Sequence, residues 1–211
     1  VIQLARVMGI TTPIPYDYTI SLGSNSVKLF EMTRAYGVFA NGGFKVEPYA
    51  IERVESSRGT ILFEARKART SKVLNINTAA TMTAIMKTVI QSGTGRAANI
   101  GKPAAGKTGT TDDCKDAYFI GYTPDVVTGV WVGNDDNSKM GELTGGTVPA
   151  GKYRCRNSFL DCRYSAWKGS PLALWNRPSG GCEGGVRCRE RLRTTANQTA
   201  ESCALLQWWS R

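Results

Sequence analysis

Residues 101–111 read GKPAAGKTGTT and fit two incompatible patterns. Residues 101–108 match G-x-x-x-x-G-K-[ST], the pattern of a loop that cradles nucleotide phosphates. Residues 107–110, K-T-G-T, would instead suit a strand that carries a cation and two hydroxyl groups. The two interpretations predict different folds, because a phosphate loop must follow a buried strand and open a helix.

The flanking residues do not support a phosphate loop. Residues 94–100 lack the run of β-branched apolar residues that a buried strand would need, and Pro103 removes one backbone N–H that the cradle would use. Residues 108–111, Thr-Gly-Thr-Thr, would form a poor first helical turn, because glycine and β-branched threonine have low helix propensity.

A strand accounts for the same residues better. Thr108 and Thr110 share one face of an extended chain, and Gly109 removes side-chain bulk where a ligand backbone could lie. Lys107 adds a positive charge, so the group would suit a carboxylate. The K-T-G motif alone is equally compatible with a threonine-rich strand and a solvated lysine.

Helices and strands alternate on both sides of this stretch and predict a mixed α/β fold with an antiparallel sheet flanked by helices. Two of the predicted helices have regular apolar stripes: Leu29, Met32, Tyr36 and Phe39 in the first, and Met82, Ile85, Met86, Val89 and Ile90 in the second. The first half of the chain is predicted to form a helix over residues 1–9, a helix capped by Ser24 and closed by residues 41–43, and strands over 46–54 and 60–63 around a turn at 56–59. A helix capped by Asn77 and ended by Gly93 and Gly95 follows. The K-T-G-T strand comes next, and then strands over 117–122 and 126–133 around a turn at 123–125.

Charge and composition divide the chain near Ala150. Residues 151–211 hold 11 of the 27 Lys and Arg residues but only 4 of the 17 Asp and Glu residues. They also hold five of the six cysteines and four of the five tryptophans. We therefore expect one domain over residues 1–150 and a separate basic tail over 151–211.

The absence of histidine restricts the chemistry. With no histidine in the chain, Ser-His-Asp and Cys-His catalysis and histidine-ligated metals are excluded, so a nucleophile would be activated by lysine, a carboxylate or tyrosine. The chain begins at Val1 without a basic and apolar leader, which predicts a segment of a longer protein. No apolar run approaches the ~18 residues of a membrane span, so an anchor would lie outside this sequence.

Four segments together resemble the C-terminal part of the transpeptidase domain of class A penicillin-binding proteins. They follow the family's order, and the resemblance as a whole covers nearly all of residues 1–150. The segments are LGSNSVKLFEMTRAYGVFANGG (22–43), QSGTGR (91–96), GKTGTTDDCKDAYFIGYTPDVVTGVWVGNDD (106–136) and GGTVPA (145–150).

The resemblance implies a serine acyltransferase of peptidoglycan synthesis, with the fold of serine β-lactamases and D,D-peptidases and no cofactor or metal. The family's serine attacks the D-Ala-D-Ala bond of a stem peptide, and the acyl-enzyme is then taken by an amine of a neighbouring strand or trapped by a β-lactam. Carried onto this sequence, Lys107 would supply positive potential near the serine and the substrate. Thr108, Gly109 and Thr110 would bind the substrate, with both hydroxyls on its carboxylate and the Thr110 N–H on the oxyanion.

Two of the family's three motifs are absent from this chain. No S-x-N or S-x-D occurs, and the only S-x-x-K is Ser165-Ala166-Trp167-Lys168. That tetrapeptide lies on the wrong side of K-T-G, and Gly169 and Pro171 would end its helix. We therefore expect no nucleophile here, and no acylation by penicillin of this chain alone.

The tail departs from the family, which usually continues after GGTVPA into a helix packed on the sheet. No helical or strand periodicity persists after Ala150, and the rise in Arg, Cys, Trp, Gly and Ser is typical of an out-of-frame translation. We expect a non-homologous tail, disordered or frameshifted. Its five cysteines, Cys155, Cys162, Cys182, Cys188 and Cys203, contain no C-x2-4-C pair, which argues against zinc.

The remaining expectations concern context. The parent would be anchored in the cytoplasmic membrane of a bacterium through its missing N-terminal part, face the periplasm or cell exterior, and carry a glycosyltransferase domain upstream. No nucleic acid partner is expected. The alternative is a non-catalytic basic module that binds nucleic acid or an anionic cell-wall polymer. Cys114, beside Asp112, Asp113 and Asp116, is interpreted as a loop residue, because neighbouring negative charge disfavours its thiolate.

Overall fold

The computed structural model of the chain describes residues 1–65, 69–166 and 199–207. Two short 3-10 helices, Tyr18–Leu22 and Arg96–Ala98, lie between the main elements. These are, in chain order, α1 (Ile2–Met8), α2 (Leu29–Ala40), β1 (Phe44–Val46), β2 (Arg53–Glu55), β3 (Ile61–Glu64), β4 (Thr70–Lys72), α3 (Ile76–Gln91), β5 (Ala105–Thr110), β6 (Asp116–Tyr122), β7 (Val126–Asn134), α4 (Val148–Ala166) and β8 (Thr199–Gln207).

The main sheet is antiparallel, in the order β5-β6-β7-β8. β6 and β7 form the hairpin predicted around residues 123–125, closed by a hydrogen bond from Thr123 N to Val126 O of 2.9 Å. K-T-G-T lies in β5, where Thr108 pairs with Phe119 and Thr110 with Ala117. Lys107 is therefore inside a strand and not at a helix N-terminus, which excludes the phosphate-loop interpretation.

Helices cover both faces of this sheet. On one face, Met86 of α3 packs with Ala105, Tyr122 and Val127, and residues of α2 border the same cluster. On the other face, Tyr153 of α4 packs against Phe119, their ring centroids 4.9 Å apart, within a cluster that includes residues of β7. The predicted α/β fold, an antiparallel sheet flanked by helices, is confirmed.

A glycine permits the close approach of α2 to the sheet. A Cβ at Gly129 of β7 would overlap the Thr33 hydroxyl and lie 3.1 Å from Leu29 Cδ1. The spacing between helix and strand at this point therefore depends on the missing side chain.

The predicted N-caps of α2 and α3 are wrong. α2 begins at Leu29 after Lys28, while the Ser24 hydroxyl hydrogen-bonds to the Thr19 hydroxyl at 2.6 Å. α3 is capped by Asn75, whose side chain accepts from the Asn77 N–H at 2.9 Å. Ser24 thus bonds to another side chain, and Asn77 lies two residues after the residue that caps α3. Because several residues near a helix start can form a cap, residue type alone does not locate the start.

The single strand predicted over residues 46–54 is also wrong. It is divided into β1, which pairs with β4, and β2, which pairs with β3. Pro48 lies between them and has no N–H for a ladder. The predicted turn is confirmed: Ser56 N donates to Thr60 O at 2.8 Å, and Gly59 has φ +80°.

Regular structure continues past the expected domain boundary. α4 runs through Ala150, and its Tyr153 is fully buried. Asn157 is buried as well, so Ala150, Tyr153 and Asn157 form a helical stripe that the sequence analysis missed. β8 pairs with β7 over its whole length. The division at Ala150 and the origin of the tail stay predictions. Residues 167–198 and 208–211, including Trp167, Lys168, Cys182 and Cys188, lie outside the described residues.

Candidate active site

The K-T-G-T strand presents its hydroxyls on one face and its lysine on the other. Thr108 and Thr110 lie on the α4 face of β5, together with Phe119 and Ala117, their partners in β6. Lys107 lies on the opposite face, with its chain bent back so that Nζ donates to Thr108 O at 2.9 Å. Lys107 and Thr110 are exposed and Thr108 is half-buried. The two hydroxyls therefore lie on one face of the strand, and the ammonium is held at the backbone of the strand.

Gly109 keeps the strand narrow between the two threonines. A Cβ at this position would be 3.5 Å from the Tyr118 Cβ, an ordinary contact. Packing within the sheet therefore does not require glycine at this position. Glycine instead keeps the space above the strand free of a side chain.

The turn after α3 places a third hydroxyl beside the strand. α3 ends at Gln91, and the N–H groups of Ser92 and Gly93 both donate to Thr88 O at 2.9 Å. This turn positions Thr94 so that its hydroxyl lies 2.7 Å from the Thr108 hydroxyl, and either oxygen can be the donor. Thr94 thus orients Thr108.

The loop before α4 contacts the same strand next to Thr94. Gly145 N donates to Thr110 Oγ1 at 3.0 Å. A Cβ at Gly145 would overlap the carbonyl oxygen of Tyr118, and one at Gly146 would overlap that of Thr94. Both glycines are therefore needed for the loop to lie this close to the strand.

The loop that follows K-T-G-T is fixed by its own hydrogen bonds. The Thr111 hydroxyl accepts from Lys115 N at 3.0 Å and from Asp116 N at 2.9 Å. Asp116 in turn accepts from the Trp131 indole at 2.8 Å, which ties the loop to β7. These contacts hold the end of β5 in place.

Cys114 lies in this loop, as expected, with φ 52°. Its neighbour Asp113 forms an ion pair of 2.7 Å with Lys139. The hydrogen bond and the charge of Lys139 lower the pKa of Asp113. The Asp113 carboxylate therefore remains ionised beside Cys114 in the sequence.

The structure thus brings together Thr108, Gly109 and Thr110 as predicted from the sequence and places Lys107 across the strand. Their catalytic and binding roles stay predictions. Thr94 and Gly145 were missed as site residues, although QSGTGR and GGTVPA were recognised as segments. The signal available was the glycine in each, which marks a close approach of backbone.

The described residues show neither a metal-binding cluster nor a membrane-spanning helix. In residues 1–65, 69–166 and 199–207, no cluster of three or more Cys, Asp or Glu residues could hold a metal ion. No helix among the described elements is long and apolar enough to cross a bilayer.

A family model described as "Penicillin binding protein transpeptidase domain" matches residues 15–150. Penicillin-binding protein 1A of Aquifex aeolicus is 35% identical over 148 residues, which are 70% of this chain and 20% of that protein. Penicillin-binding protein 1A of Neisseria flavescens is 32% identical over 201 residues, covering 91% of this chain and 24% of that protein. Since residues 1–150 are less than three quarters of the chain, the second alignment extends past Ala150.

Solved structures show the same similarity. The structure of PonA1 from Mycobacterium tuberculosis in complex with penicillin V matches 83% of this chain and 51% of that one, with a TM-score of 0.64 and 25% identity. Penicillin-binding protein 1A from Haemophilus influenzae matches 80% of this chain and 31% of that one, with a TM-score of 0.64 and 27% identity.

The sequence therefore spans about a quarter or less of the length of the relatives named here. The matched residues include Thr94 and Gly145, which hydrogen-bond to the threonines of the K-T-G-T strand. Sequence, fold and site agree, and the chain belongs to the penicillin-binding protein transpeptidase domain family.

Proposed function

We propose that this chain is the part of a peptidoglycan D,D-transpeptidase domain that receives the carboxylate of the stem peptide and stabilises the oxyanion of acyl transfer. The observation that carries the proposal is the K-T-G-T strand at the edge of the described sheet. Thr108 and Thr110 carry their hydroxyls on one face of this strand. No described strand pairs with the edge of β5 that lies opposite β6. The family match and the penicillin V complex of PonA1 support the same substrate class.

The parent's serine would attack the carbonyl carbon of the penultimate D-alanine. The electron pair of that carbonyl moves onto its oxygen, which the Thr110 N–H would stabilise. Collapse of this intermediate breaks the bond to the terminal D-alanine, whose nitrogen takes up the proton that the serine hydroxyl has lost and leaves as the amine. An amine of a second stem peptide then attacks the acyl carbon and replaces the serine, which regains a proton from that amine. An oxyanion donor of this kind typically lowers the barrier by about 3 kcal/mol.

Lys107, Thr108 and Thr110 would act together on the terminal carboxylate. The threonine hydroxyls donate to its oxygens, and the Lys107 ammonium raises the positive potential of the strand edge. Charge-assisted hydrogen bonds of this kind are stronger than neutral ones, which gives the site its preference for a free C-terminus.

The chain carries this strand without S-x-x-K or S-x-N upstream of it. Without the nucleophile the covalent route is lost, and binding alone remains. We therefore propose that the catalytic protein is a longer, membrane-anchored bacterial parent that faces the periplasm or cell exterior and also carries a glycosyltransferase domain. The family match does not favour the alternative of a basic module that binds nucleic acid or a wall polymer.

Two experiments test this function. Labelled penicillin should form no stable covalent adduct with the isolated chain, as judged by mass spectrometry, and an adduct would contradict the missing nucleophile. The coding sequence upstream of Val1 should contain S-x-x-K followed by S-x-N in frame with K-T-G-T. If neither motif occurs there, the transpeptidase function of the parent is refuted.

A further inference from the structure

Phe119 of β6 is the partner of Thr108 in the β5–β6 register, and the roles implied for K-T-G-T give it no part in the site. We propose that Phe119 is a positioning residue. Its ring sets the distance between β5 and the turn at residues 92–95, and thereby holds the Thr94 hydroxyl against that of Thr108. The inference rests on the proposed function, because Thr108 belongs to the proposed carboxylate site.

Three glycines enclose the outer end of the Phe119 ring, which is fully buried. A Cβ at Gly106 of β5 would lie 2.8 Å from Phe119 Cζ, and one at Gly121 of β6 would lie 2.8 Å from Cε1. A Cβ at Gly95 of the turn would lie 3.0 Å from Cε2. None of the three positions has room for a methyl group, so the ring fills the space between the two strands and the turn.

The turn is held against this ring from the side of α3. Gly95 N donates to Val89 O at 2.9 Å, and a Cβ at Gly95 would also lie 3.2 Å from Val89 Cγ1. Gly95 has φ −100° and ψ 19°, a conformation that other residues can adopt. Glycine is therefore needed at this position for space beside Phe119 and Val89, and not for its backbone freedom.

The position of Gly95 fixes that of Thr94, its neighbour in the chain. The Thr94 and Thr108 hydroxyls are 2.7 Å apart, and a shift of the turn by about 1 Å would take them out of the range of a good O–H···O hydrogen bond. Without this contact the Thr108 hydroxyl could occupy several rotamers. A ligand carboxylate would then have to order that hydroxyl on binding, which weakens affinity.

A double-mutant cycle tests whether the ring sets this contact. Thr94→Val, Thr108→Val and the double variant are unfolded in urea as full chains, and the coupling of the two hydroxyls is expressed as a factor in the unfolding equilibrium constant. In wild type we expect a factor of about five, as for an ordinary hydrogen bond. In Phe119→Leu, which lacks Cε1, Cε2 and Cζ, the factor should fall to about one.

Val132→Ala is the matched control for loss of core packing. Val132 is 2% exposed and belongs to the same apolar cluster as Phe119, but it pairs with Ala117 in the sheet. Its factor should stay at about five although stability falls. If Phe119 has only a structural role, Phe119→Leu will also keep a factor of about five, and the proposal is overturned. A factor of about one in wild type would overturn it as well, because the ring would then have no contact to set.

A second variant covers the case in which Phe119→Leu does not fold. Gly95→Ala leaves the ring in place and adds a Cβ against it, so the turn must move and the coupling factor should again fall toward one. Gly151→Ala is its control, because a Cβ there meets no atom within 4 Å. An unchanged factor in folded Gly95→Ala would contradict the positioning role.

A titration with N-acetyl-D-Ala-D-Ala, followed by the amide resonances of β5 in the full chain, connects this contact to the proposed function. The Kd should rise about fivefold in Phe119→Leu and stay unchanged in Val132→Ala. If wild type does not bind the peptide, the proposed carboxylate site fails, while the cycle still decides the role of the ring. If wild type and Phe119→Leu bind equally well, the ring does not serve the site and the proposal is overturned.

Discussion

Replacement of Glu31 by glutamine probes how α2 holds the N-terminal segment. Glu31 is 6% exposed, yet its carboxylate accepts hydrogen bonds from the backbone N–H groups of Thr11 and Thr12, both at 3.0 Å. It also accepts from both threonine hydroxyls, that of Thr12 at 2.8 Å. Glutamine has the same shape but replaces one oxygen with an NH2 group that cannot accept. Oε1 accepts only the bond from the Thr11 hydroxyl, and Oε2 accepts the other three. With the NH2 group in the place of Oε1, one hydrogen bond to a charged acceptor is lost, at about 1.5 kcal/mol, and the other three become neutral and weaken by about 0.5 kcal/mol each. We therefore expect the free energy of unfolding to fall by about 3 kcal/mol.

The effect should depend on pH in a defined direction. Burial raises the pKa of Glu31, but the hydrogen bonds from Thr11 and Thr12 outweigh burial and lower the pKa from 4.5 to about 2. Because the folded pKa lies below the unfolded one, the stabilisation is fully present above pH 4.5 and is lost as the pH falls toward 2. The difference between wild type and Glu31→Gln should therefore shrink across that window.

Urea unfolding followed by tryptophan fluorescence at pH 7 and pH 3 measures both effects. Glu47→Gln is the control: Glu47 pairs with Arg34 at 2.9 Å, but its side chain is 49% exposed. A pair of this exposure contributes at most about 1 kcal/mol. The reasoning is refuted if Glu31→Gln matches Glu47→Gln at pH 7, or if its deficit is the same at pH 7 and pH 3.

Three further predictions concern the main sheet. Phe119→Ala should lower the free energy of unfolding by about 3–5 kcal/mol, because it leaves a cavity against Tyr153; a loss below about 1 kcal/mol in urea unfolding would contradict this packing. Tyr153→Phe should leave stability unchanged or raise it by about 1 kcal/mol in the same assay, since the buried Tyr153 hydroxyl has no hydrogen-bond partner in the described part of the chain, and a large loss would show that a partner exists. Trp131→Phe removes the indole donor to Asp116 and should cost about 1.5 kcal/mol; thermal unfolding identical to wild type would show that this hydrogen bond does not stabilise the loop.

The sequence predicted the elements whose signals are local. The apolar stripe of α3, the turn at residues 123–125 and the extended character of K-T-G-T depend on spacing and residue type within a few positions. The turn and the extended strand are confirmed, and the stripe is confirmed except at Ile85, which is 56% exposed. Helix starts and strand limits were less accurate because several residues can serve as a cap, and because the partner of β1 lies more than 20 residues away in β4. The helical stripe of Ala150, Tyr153 and Asn157 was masked by the unusual composition of the tail.

The site was predictable only in part. K-T-G-T could be assigned because threonines two apart share a face in any strand. The contacts of Thr94 and Gly145 with that strand depend on how α3 and α4 pack on the sheet, which no local pattern specifies. The opposite facing of Lys107 does follow from strand periodicity, and its hydrogen bond to Thr108 O could not be foreseen.

The hydrogen bonds around β5 join distant points of the chain: Thr94 and Thr108 are 14 positions apart, and Thr110 and Gly145 are 35 positions apart. Closing loops of these lengths carries an entropic cost, so we expect these hydrogen bonds to form together with the packing of the sheet and its helices. Any ligand that requires all three segments at once would therefore bind only the completed fold, and would shift the unfolding equilibrium of the whole sheet by mass action.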